Sequence, residues 1–369
     1  MYLQQIRLTD FKNCKEASLE FSAKINCFVG SNGAGKTNLL DAIYYLSFCK
    51  SYFNNIDQQN IQHGAAFFSI HGHYQRNGDA DLVSCVQKRN HKKSFRFNKK
   101  EYDRLADHIG KIPLVMISPY DRDLINEGSE ARRRFLDAMI SQFDPIYLDE
   151  LLKYNKALMQ RNALIKQLAD NGQIDRDLLS LWNDQLSQSG NHIFDKRKAF
   201  IADFMPIFFS FYDFVSGQKE KVGIAYESGL QTNSFSLGLE QSFERDRIVR
   251  YTTFGIHKDD LSFLIEGFPL KKFGSQGQQK SFVIALKLAQ FAYTHQKIGF
   301  MPILLFDDIF DKLDDFRVAQ IIRLVGQESF GQVFISDTQL QRIRMLFESA
   351  PIDHRLFSVA EGKVQLLES

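Results

Sequence analysis

Short segments at the start of the chain alternate apolar and polar residues, and this period-two pattern is typical of strands. Apolar residues at three- and four-residue spacing follow, which is typical of a helix packed on one face. The patterns predict strands over residues 2–8, 17–21 and 24–29, a helix over 35–50, short strands within 66–97 and a strand over 113–117. We therefore expect a mixed α/β structure in the first third of the chain.

The middle of the chain has a helical pattern instead. Apolar residues recur every three or four positions over residues 147–168 and again over 179–200, and Arg161 occupies one position of the first seam. Asp170-Asn171-Gly172 interrupts the pattern between the two segments. We predict two antiparallel helices packed along this seam, which spans fewer than four heptads. Both a short arm and an ordinary helical subdomain are compatible with that length.

Alternation of helix and strand returns in the last quarter of the chain. The pattern predicts a helix over 276–293, a strand over 302–306, a helix over 315–325, a strand over 332–336 and a final hairpin around Glu361-Gly362. Strands that alternate with helices in this way favour a parallel sheet.

Composition places the chain among globular proteins of one or two domains. It has 369 residues, 44% of them hydrophobic and 24% charged, and a formal net charge of +2. A net charge near zero neither supports nor excludes a nucleic-acid partner, because a basic face can be balanced elsewhere.

The cysteines and the most apolar stretch indicate the cellular compartment of the protein. Cys14, Cys27, Cys49 and Cys85 lack metal-binding or redox-pair spacing, so we expect reduced thiols and a cytoplasmic protein. Residues 204–215 are too few to span a bilayer and include Asp213, so no membrane segment is expected.

Residues 30–37, GSNGAGKT, match the phosphate-loop pattern G-x-x-x-x-G-K-[ST] at every fixed position. The motif follows a predicted strand and opens a predicted helix, which is the context it requires. Backbone N–H groups of such a loop surround phosphate oxygens. Lys36 is expected to reach the β- and γ-phosphates, and the Thr37 hydroxyl to bind Mg²⁺. The predicted ATP-binding residues are Gly30, Ser31, Asn32, Gly33, Ala34, Gly35, Lys36, Thr37 and Asn38.

An apolar run at residues 303–306 ends in two acids, Asp307 and Asp308. Acids at the carboxyl end of a buried parallel strand lie where ligands bind in α/β sheets. Together with the phosphate loop, the run is a candidate Walker B strand. Asp307 is predicted to hold Mg²⁺, and Asp308, with Lys36, to act in catalysis by orienting the attacking water.

The segment Ser275-Gln276-Gly277-Gln278 lies at the start of the predicted helix before that strand. It resembles the signature motif of ABC-type ATPases, and Asp311 and Asp314 resemble the D-loop that follows Walker B. The resemblance implies an ATP-dependent homodimer in which the signature of one protomer contacts the γ-phosphate bound to the other.

Further motifs occur in the order found in the RecF family of SMC-like ATPases. They are Leu8-x-x-Phe11-Lys12-Asn13, Arg132-Arg133-Arg134-Phe135-Leu136-Asp137, Tyr154-x-x-x-Leu158-x-x-Arg161-Asn162, and Gly255-Ile256-His257-Lys258-Asp259-Asp260-Leu261. The resemblance covers the chain from residue 8 to about 340 and implies an α/β fold, an ABC-type ATPase head whose P-loop sheet carries an antiparallel β subdomain, with a helical arm-like lobe. We expect residues 1–140 and 251–369 to form the head and 141–250 the lobe.

Resemblance to this family also implies a function. The expected protein is an ATP-dependent DNA-binding clamp of recombinational repair and replication, with weak DNA-dependent ATPase activity that serves as a switch. It would bind single-stranded or gapped DNA without sequence specificity. The family acts with RecO and RecR to load RecA at single-strand gaps, which leads to SOS induction.

Some positions depart from related ATPases. Residues 334–338 lack the histidine that transporters place after this strand, and residues 118–120 lack the glutamine expected there. Asp308 stands where many relatives carry the longer glutamate. Since a displaced carboxylate positions water less well, we expect slow hydrolysis.

The densest basic segment supplies the candidate DNA contacts Lys88, Arg89, Lys92 and Lys93. A solvated hairpin tip explains the same residues equally well. The role of His257-Lys258-Asp259-Asp260 is open between a place near the γ-phosphate and a dimer interface.

Three other functions share parts of the pattern. A transporter ATPase subunit does not need the long interval between Lys36 and Ser275, and a small-molecule P-loop kinase does not explain the signature or the D-loop. A nucleotide-dependent scaffold that does not hydrolyse ATP stays open.

Overall fold

The computed structural model of the chain describes residues 1–54, 56–172, 175–217, 220–309, 320, 330–348 and 353–368. The chain is divided into two compact units. We call residues 1–121, 214–217 and 281–369 the head unit, and residues 122–213 and 218–280 the helical unit. The helical unit extends beyond the predicted range 141–250 at both ends. The predicted D-loop residues Asp311 and Asp314 lie outside the described residues, and so does the helix predicted over 315–325 apart from residue 320.

The head unit contains an antiparallel sheet in the order β2-β1-β4-β5-β6-β7. Its strands are β1 Tyr2–Phe11, β2 Cys14–Glu20, β4 Phe67–Arg76, β5 Asp79–Lys88, β6 Ser94–Phe97 and β7 Lys100–Glu101. Most side chains on one face of β1 are buried and those between them are exposed or half-buried, as expected for a sheet with one face packed on a core. This sheet is the expected antiparallel β subdomain.

A second sheet of the head unit has the order β15-β14-β3-β13-β12-β8. Its strands are β3 Ile25–Val29, β8 Leu114–Ile117, β12 Ile303–Asp307, β13 Val333–Asp337, β14 His354–Ala360 and β15 Lys363–Glu368. All neighbours pair in parallel except β14 and β15, which form the predicted hairpin. Every residue of β3, β12 and β13 is buried, because helices and the other sheet cover both faces of a parallel sheet.

Helix α1 (Lys36–Phe48) packs against strands of both sheets. Leu40 and Leu46 are fully buried, together with Phe28 and Phe334 of the parallel sheet and Phe68 of the antiparallel sheet. The helix is hydrophobic around most of its circumference, which is typical of a helix inside a core. The phosphate loop immediately precedes α1, so the position of this helix holds the loop at the centre of the head unit.

The helical unit is built from longer helices and a small sheet in the order β11-β10-β9. Its elements are α2 Asp123–Asn126, α3 Ser129–Ser141, α4 Pro145–Asn171, α5 Arg176–Ser216, β9 Val222–Glu227, α6 Phe235–Val249, β10 Asp260–Ile265, β11 Phe268–Pro269, α7 Leu270–Phe273 and α8 Gln276–Ile298. The last residues of α5 and most of α8 belong to the head unit. A further helix of the head unit, α9, spans Leu340–Glu348.

Helices α4 and α5 run antiparallel, as predicted. The Arg161 Nε donates to Asn183 Oδ1 at 2.7 Å, and the Arg197 Nε donates to the Tyr147 hydroxyl at 3.1 Å. Asp144 caps the start of α4, and Gly172 ends it with a φ of 69°. Helix α5 is longer than the spacing predicted, because it also includes residues 204–215.

Among the described residues, α5 is the helix long and apolar enough to cross a membrane by length and composition alone. Its Arg197 is 1% exposed and forms ion pairs with Asp137 and Asp259 in the same unit. A buried charge needs such partners inside a folded protein. We therefore interpret α5 as a core helix.

Candidate nucleotide-binding site

The phosphate loop connects the end of β3 to the start of α1. Gly33 and Gly35 have φ angles of 79° and 116°, a region that favours glycine. Gly35 is the N-cap residue of α1, so the unpaired N–H groups of the first helical turn face the loop. The loop therefore offers N–H donors and a helix dipole to an anion.

Close packing holds the outside of this loop. A Cβ atom on Gly30 would lie 2.2 Å from the Val359 carbonyl oxygen, and one on Gly35 would lie 2.6 Å from Asn13 Nδ2. Asn13 also donates to the Ala34 carbonyl at 3.2 Å and accepts from Asn38 Nδ2 at 2.7 Å. The glycines are thus required by backbone proximity, and Asn13 fixes the shape of the loop.

Lys36 is 4% exposed, and its ammonium lies inside the curve of the loop. It donates to the carbonyl oxygens of Gly30 at 2.9 Å and Ser31 at 3.1 Å. These contacts place the cation beside the N–H groups that open α1. Ser31 and Asn32 are exposed at the edge of the loop.

The two Walker motifs meet beside the loop. The Thr37 hydroxyl donates to Asp307 Oδ1 at 2.8 Å, and the Ser336 hydroxyl donates to the same oxygen at 2.8 Å. Strands β3, β13 and β12 are parallel neighbours, so their carboxyl ends lie at one edge of the sheet. This edge is where ligands bind in open α/β sheets.

Burial raises the pKa of Asp307 to about 6. The hydrogen bonds from Thr37 and Ser336 act in the opposite direction, the neighbouring Asp308 raises the pKa further, and Lys36 lowers it. A cation beside the carboxylate would favour its ionised form.

The oxygens of Thr37 and Asp307 fit Mg²⁺, which prefers hard oxygen ligands and retains waters alongside substrate phosphates. No cluster of three or more histidine, cysteine, aspartate or glutamate residues suited to a metal occurs in the described part of the chain. Two protein oxygens fit a metal that arrives with a phosphate ligand.

Asp308 adopts a left-handed backbone with a φ of 43° directly after β12. Its N–H donates to the Ser336 hydroxyl at 2.9 Å. Ser336 therefore bridges both acids, since it also binds Asp307. This serine lies in the segment in which transporters carry a histidine, and no sequence motif predicted it.

The segment after β8, which lacks the expected glutamine, contains a buried aspartate, Asp121. Asp121 accepts from the Ser118 N–H at 2.7 Å and from Lys287 Nζ at 2.8 Å, and the Tyr52 hydroxyl also donates to it. Asp121 and Lys287 are both buried. The segment is thus tied to α8 within the head unit.

The signature segment begins α8 in the helical unit. Ser275 and Gln278 cap the helix reciprocally: the Ser275 N–H donates to Gln278 Oε1 at 2.7 Å, and the Gln278 N–H donates to Ser275 Oγ at 3.2 Å. Ser275 and Gln276 are exposed, and Gly277 is half-buried. A helix N-terminus presented in this way can approach an anion.

The basic hairpin residues do not share one environment. Lys93 is 8% exposed, and its ammonium donates to Asp57 at 2.7 Å and to the Tyr45 hydroxyl at 3.0 Å. Arg89 is exposed and donates to the Ala65 carbonyl at 2.9 Å. Lys88 and Lys92 are exposed. Lys93 is therefore part of the head-unit core, and the exposed candidates for DNA contact are Lys88, Arg89 and Lys92.

Comparison with known families identifies similar proteins along the whole chain. The family described as RecF/RecN/SMC N terminal domain matches residues 2–349. The DNA replication and repair protein RecF of Flavobacterium johnsoniae is 51% identical over 97% of this chain and 100% of its own length. The protein of the same name from Bacteroides fragilis is 49% identical over 100% of this chain and 99% of its own.

Solved structures give the same result. The recombination mediator protein RecF in complex with ATP, from the RecFOR pathway, has a TM-score of 0.89 and 28% identity, with 100% of this chain and 98% of that chain covered. An SMC head bound to the C-winged helix domain of ScpA has a TM-score of 0.59 at 14% identity, with 100% of this chain and 97% of that chain covered. The second likeness is one of fold.

Proposed function

This chain belongs to the RecF family of SMC-like ATPases, and we propose that it is an ATP-dependent DNA-binding clamp of recombinational repair and replication. It dimerises when ATP binds, and slow, DNA-dependent hydrolysis ends the dimeric state. The hydrogen bond from Thr37 to Asp307 supports this proposal most directly, because it brings the phosphate loop and the Walker B strand together in one site.

Different residues of the head unit have different roles in this function. The N–H groups of residues 30–37 and the Lys36 ammonium bind and neutralise the β- and γ-phosphates. Thr37 and Asp307 hold Mg²⁺, which when bound offsets charge on the same phosphates. Asp308 orients the attacking water, and Ser336 positions both acids through its hydroxyl.

The capped start of α8 acts on a second protomer. Ser275, Gln276, Gly277 and Gln278 contact the γ-phosphate bound to the partner, and the resemblance of Asp311 and Asp314 to a D-loop gives these two residues a role in the same assembly. This arrangement is supported by the exposure of Ser275 and Gln276 at a helix N-terminus. It makes the ATPase site incomplete in a monomer.

The DNA-bound dimer acts in the cytoplasm at single-strand gaps. RecR and RecO are the protein partners, and the assembly aids RecA loading and so SOS induction after DNA damage. Family membership supports these roles. Lys88, Arg89 and Lys92 contribute phosphate contacts that carry no base specificity.

A Lys36→Ala variant tests the proposal. The parent chain should shift from monomer to dimer in sizing chromatography when Mg²⁺ and ATP are added, and DNA should elute with the dimer. The variant should show neither change, because the phosphates lose their counter-charge. Lys153→Gln is the control, because Lys153 is exposed on α4 and its replacement removes one charge without touching the site. An ATP-induced dimer of Lys36→Ala with parental DNA binding would overturn the assignment.

A further inference from the structure

The segment His257-Lys258-Asp259-Asp260 is held rigidly within the helical unit. His257 Nε2 donates to the Thr252 carbonyl at 2.9 Å, so its Nδ1 accepts from the Tyr154 hydroxyl at 2.7 Å. Asp259 and Asp260 are bound by arginines. Lys258 alone in this segment points away from these internal contacts, and its side chain is exposed.

Two further cations, Arg133 and Arg245, lie near Lys258. The Lys258 ammonium is 4.7 Å from the ring centroid of Tyr251, which is itself exposed. Arg133 donates to the Asp259 backbone carbonyl at 2.7 Å, which places it beside Lys258. Arg245 lies on the exposed side of α6. In the described part of the chain, none of Lys258, Arg133 and Arg245 forms an ion pair.

Nearby carboxylates offset this charge only in part, because each of them is ion-paired with another cation, and Asp137 and Asp259 share Arg197. Within the helical unit the pairs are Asp259 with Arg197, Asp260 with Arg132, Glu130 with Arg134, and Asp246 with Arg161. Partial burial of the Lys258 ammonium lowers its pKa, repulsion from Arg133 and Arg245 lowers it further, and Asp246 acts in the opposite direction. The protein therefore holds several cations together at a surface although they repel one another.

We propose that Arg133, Arg245, Lys258 and Tyr251 form a binding site for the phosphate backbone of DNA on the helical unit. Clustered cations gain most from a polyanion, since each phosphate contact releases condensed counterions. The face of Tyr251 adds an aromatic surface beside the cations, a combination used to hold single-stranded segments. Contacts to the phosphate backbone carry no sequence information, so the site binds without sequence preference.

This proposal rests on the proposed function, because it names a second surface through which the clamp holds DNA. The hairpin residues Lys88, Arg89 and Lys92 belong to the head unit, whereas this site belongs to the helical unit. Loss of one site should therefore weaken binding without abolishing it. Arg133 is best left intact in tests, since it also binds backbone at Asp259.

The double variant Lys258→Gln/Arg245→Gln tests the site. Its matched control is Lys153→Gln/Arg247→Gln, which removes the same charge from two exposed cations that already pair with Glu150 and Glu244. We expect the slope of log affinity for DNA against log salt to fall by roughly 1.4 to 1.8 in the double variant. The control should change it by much less, and ATP-dependent dimerisation without DNA should be parental in both.

The outcomes separate this site from the proposed function. If the salt-dependence slope of Lys258→Gln/Arg245→Gln equals that of the parent, the proposed site is overturned and the proposed clamp function is not affected. Loss of the ATP-dependent dimer in the absence of DNA also overturns it, because the patch then faces a second copy. A parent chain that does not bind DNA overturns both proposals.

A cysteine at position 258 locates the contact directly. The native cysteines Cys14, Cys27, Cys49 and Cys85 are buried, so an introduced thiol is the accessible one. DNA that carries a disulfide tether on a backbone phosphate should form a mixed disulfide with Lys258→Cys much faster than with Lys153→Cys. Equal rates for the two variants would contradict the assignment.

Discussion

The Thr37 hydroxyl donates a hydrogen bond of 2.8 Å to Asp307 Oδ1, although the two residues are 270 positions apart in sequence. The bond joins the first turn of α1 to the end of β12. Asp307 is 3% exposed, and its Oδ1 accepts hydrogen bonds from both Thr37 and Ser336. Two hard oxygens are therefore held together before any metal arrives, which reduces the ordering cost of binding one.

Replacing Thr37 with valine should weaken Mg²⁺-dependent ATP binding about tenfold, or about 1.4 kcal/mol. Valine retains the shape of threonine and removes the hydroxyl that would bind the metal. Thr37→Ser is the control, because it retains that hydroxyl. Calorimetric titration with ATP, with and without Mg²⁺, measures the effect. An unchanged Mg²⁺ dependence in Thr37→Val would remove this residue from the metal site.

Asp308→Asn should bind Mg²⁺-ATP as the parent does and hydrolyse it at least tenfold more slowly, because the carboxylate that orients water is lost. Asparagine accepts the left-handed backbone that Asp308 adopts, with a φ of 43°. The variant should accumulate as an ATP-bound dimer. Single-turnover kinetics measure the rate, and Asp308→Glu, which retains a carboxylate, should remain active. Parental turnover in Asp308→Asn would assign the water to another residue.

Motifs with fixed spacing could be placed from the sequence because their geometry is local. The phosphate loop lies between a strand and a helix, and Asp307 ends a strand, so a parallel sheet brings them to one edge. The antiparallel pairing of α4 and α5 also follows from spacing alone. In each case the pattern of apolar residues determines which face is buried.

Partners that depend on packing could not be placed in this way. Ser336 and Asn13 contact the site through side chains whose neighbours are known only once strands are ordered. Lys92 and Lys93 are adjacent in the same basic segment, and the sequence does not distinguish them. The Lys93 ammonium is nevertheless buried against Asp57. The apolar spacing predicted an end of the second long helix that is too early, because Phe204 and Phe208 continue the buried face of α5.

We expect the lysines of the basic hairpin to have two different roles, DNA contact and stabilisation of the fold. Lys88→Gln/Arg89→Gln/Lys92→Gln should reduce the salt dependence of DNA binding by up to roughly 0.7 to 0.9 of a slope unit per lost phosphate contact, with no loss of stability. Lys93→Met should leave that slope parental and lower the free energy of unfolding by about 1–3 kcal/mol, because Asp57 loses a partner. DNA titrations at several salt concentrations and urea unfolding distinguish them. A reduced salt slope in Lys93→Met would contradict its burial.

Acidification should destabilise the head unit through His108. Burial lowers the pKa of His108 to about 4, although the hydrogen bond of Nε2 with the Leu46 carbonyl acts in the opposite direction. An unfolded chain binds this proton near the ordinary value of about 6.5, so stability falls as pH drops from about 6.5 to 4. His108→Gln should flatten that fall, whereas exposed His63→Gln should not. Parallel pH curves for parent and His108→Gln, from urea unfolding at each pH, would exclude this source.

Assembly in trans is tested by damaging the two halves of the site in different chains. Ser275→Arg leaves the phosphate loop of its own chain intact, so the monomer should bind ATP nearly as the parent does. A bulky cation at the start of α8 should prevent its approach to the γ-phosphate of a partner. Dimerisation and hydrolysis should both fail in this variant, and Lys36→Ala should fail at ATP binding.

Mixing the two variants should restore part of the ATPase activity. One site of the mixed dimer combines both defects, and the other combines the intact phosphate loop of Ser275→Arg with the intact signature of Lys36→Ala. A control mixture of Ser275→Arg with the double variant Lys36→Ala/Ser275→Arg contains no intact site and should stay inactive. Activity in the first mixture alone can arise only if one site draws residues from two chains. Conversely, an ATP-induced dimer of Ser275→Arg with parental hydrolysis would show that the signature is not needed, and the clamp would lose its proposed means of closing.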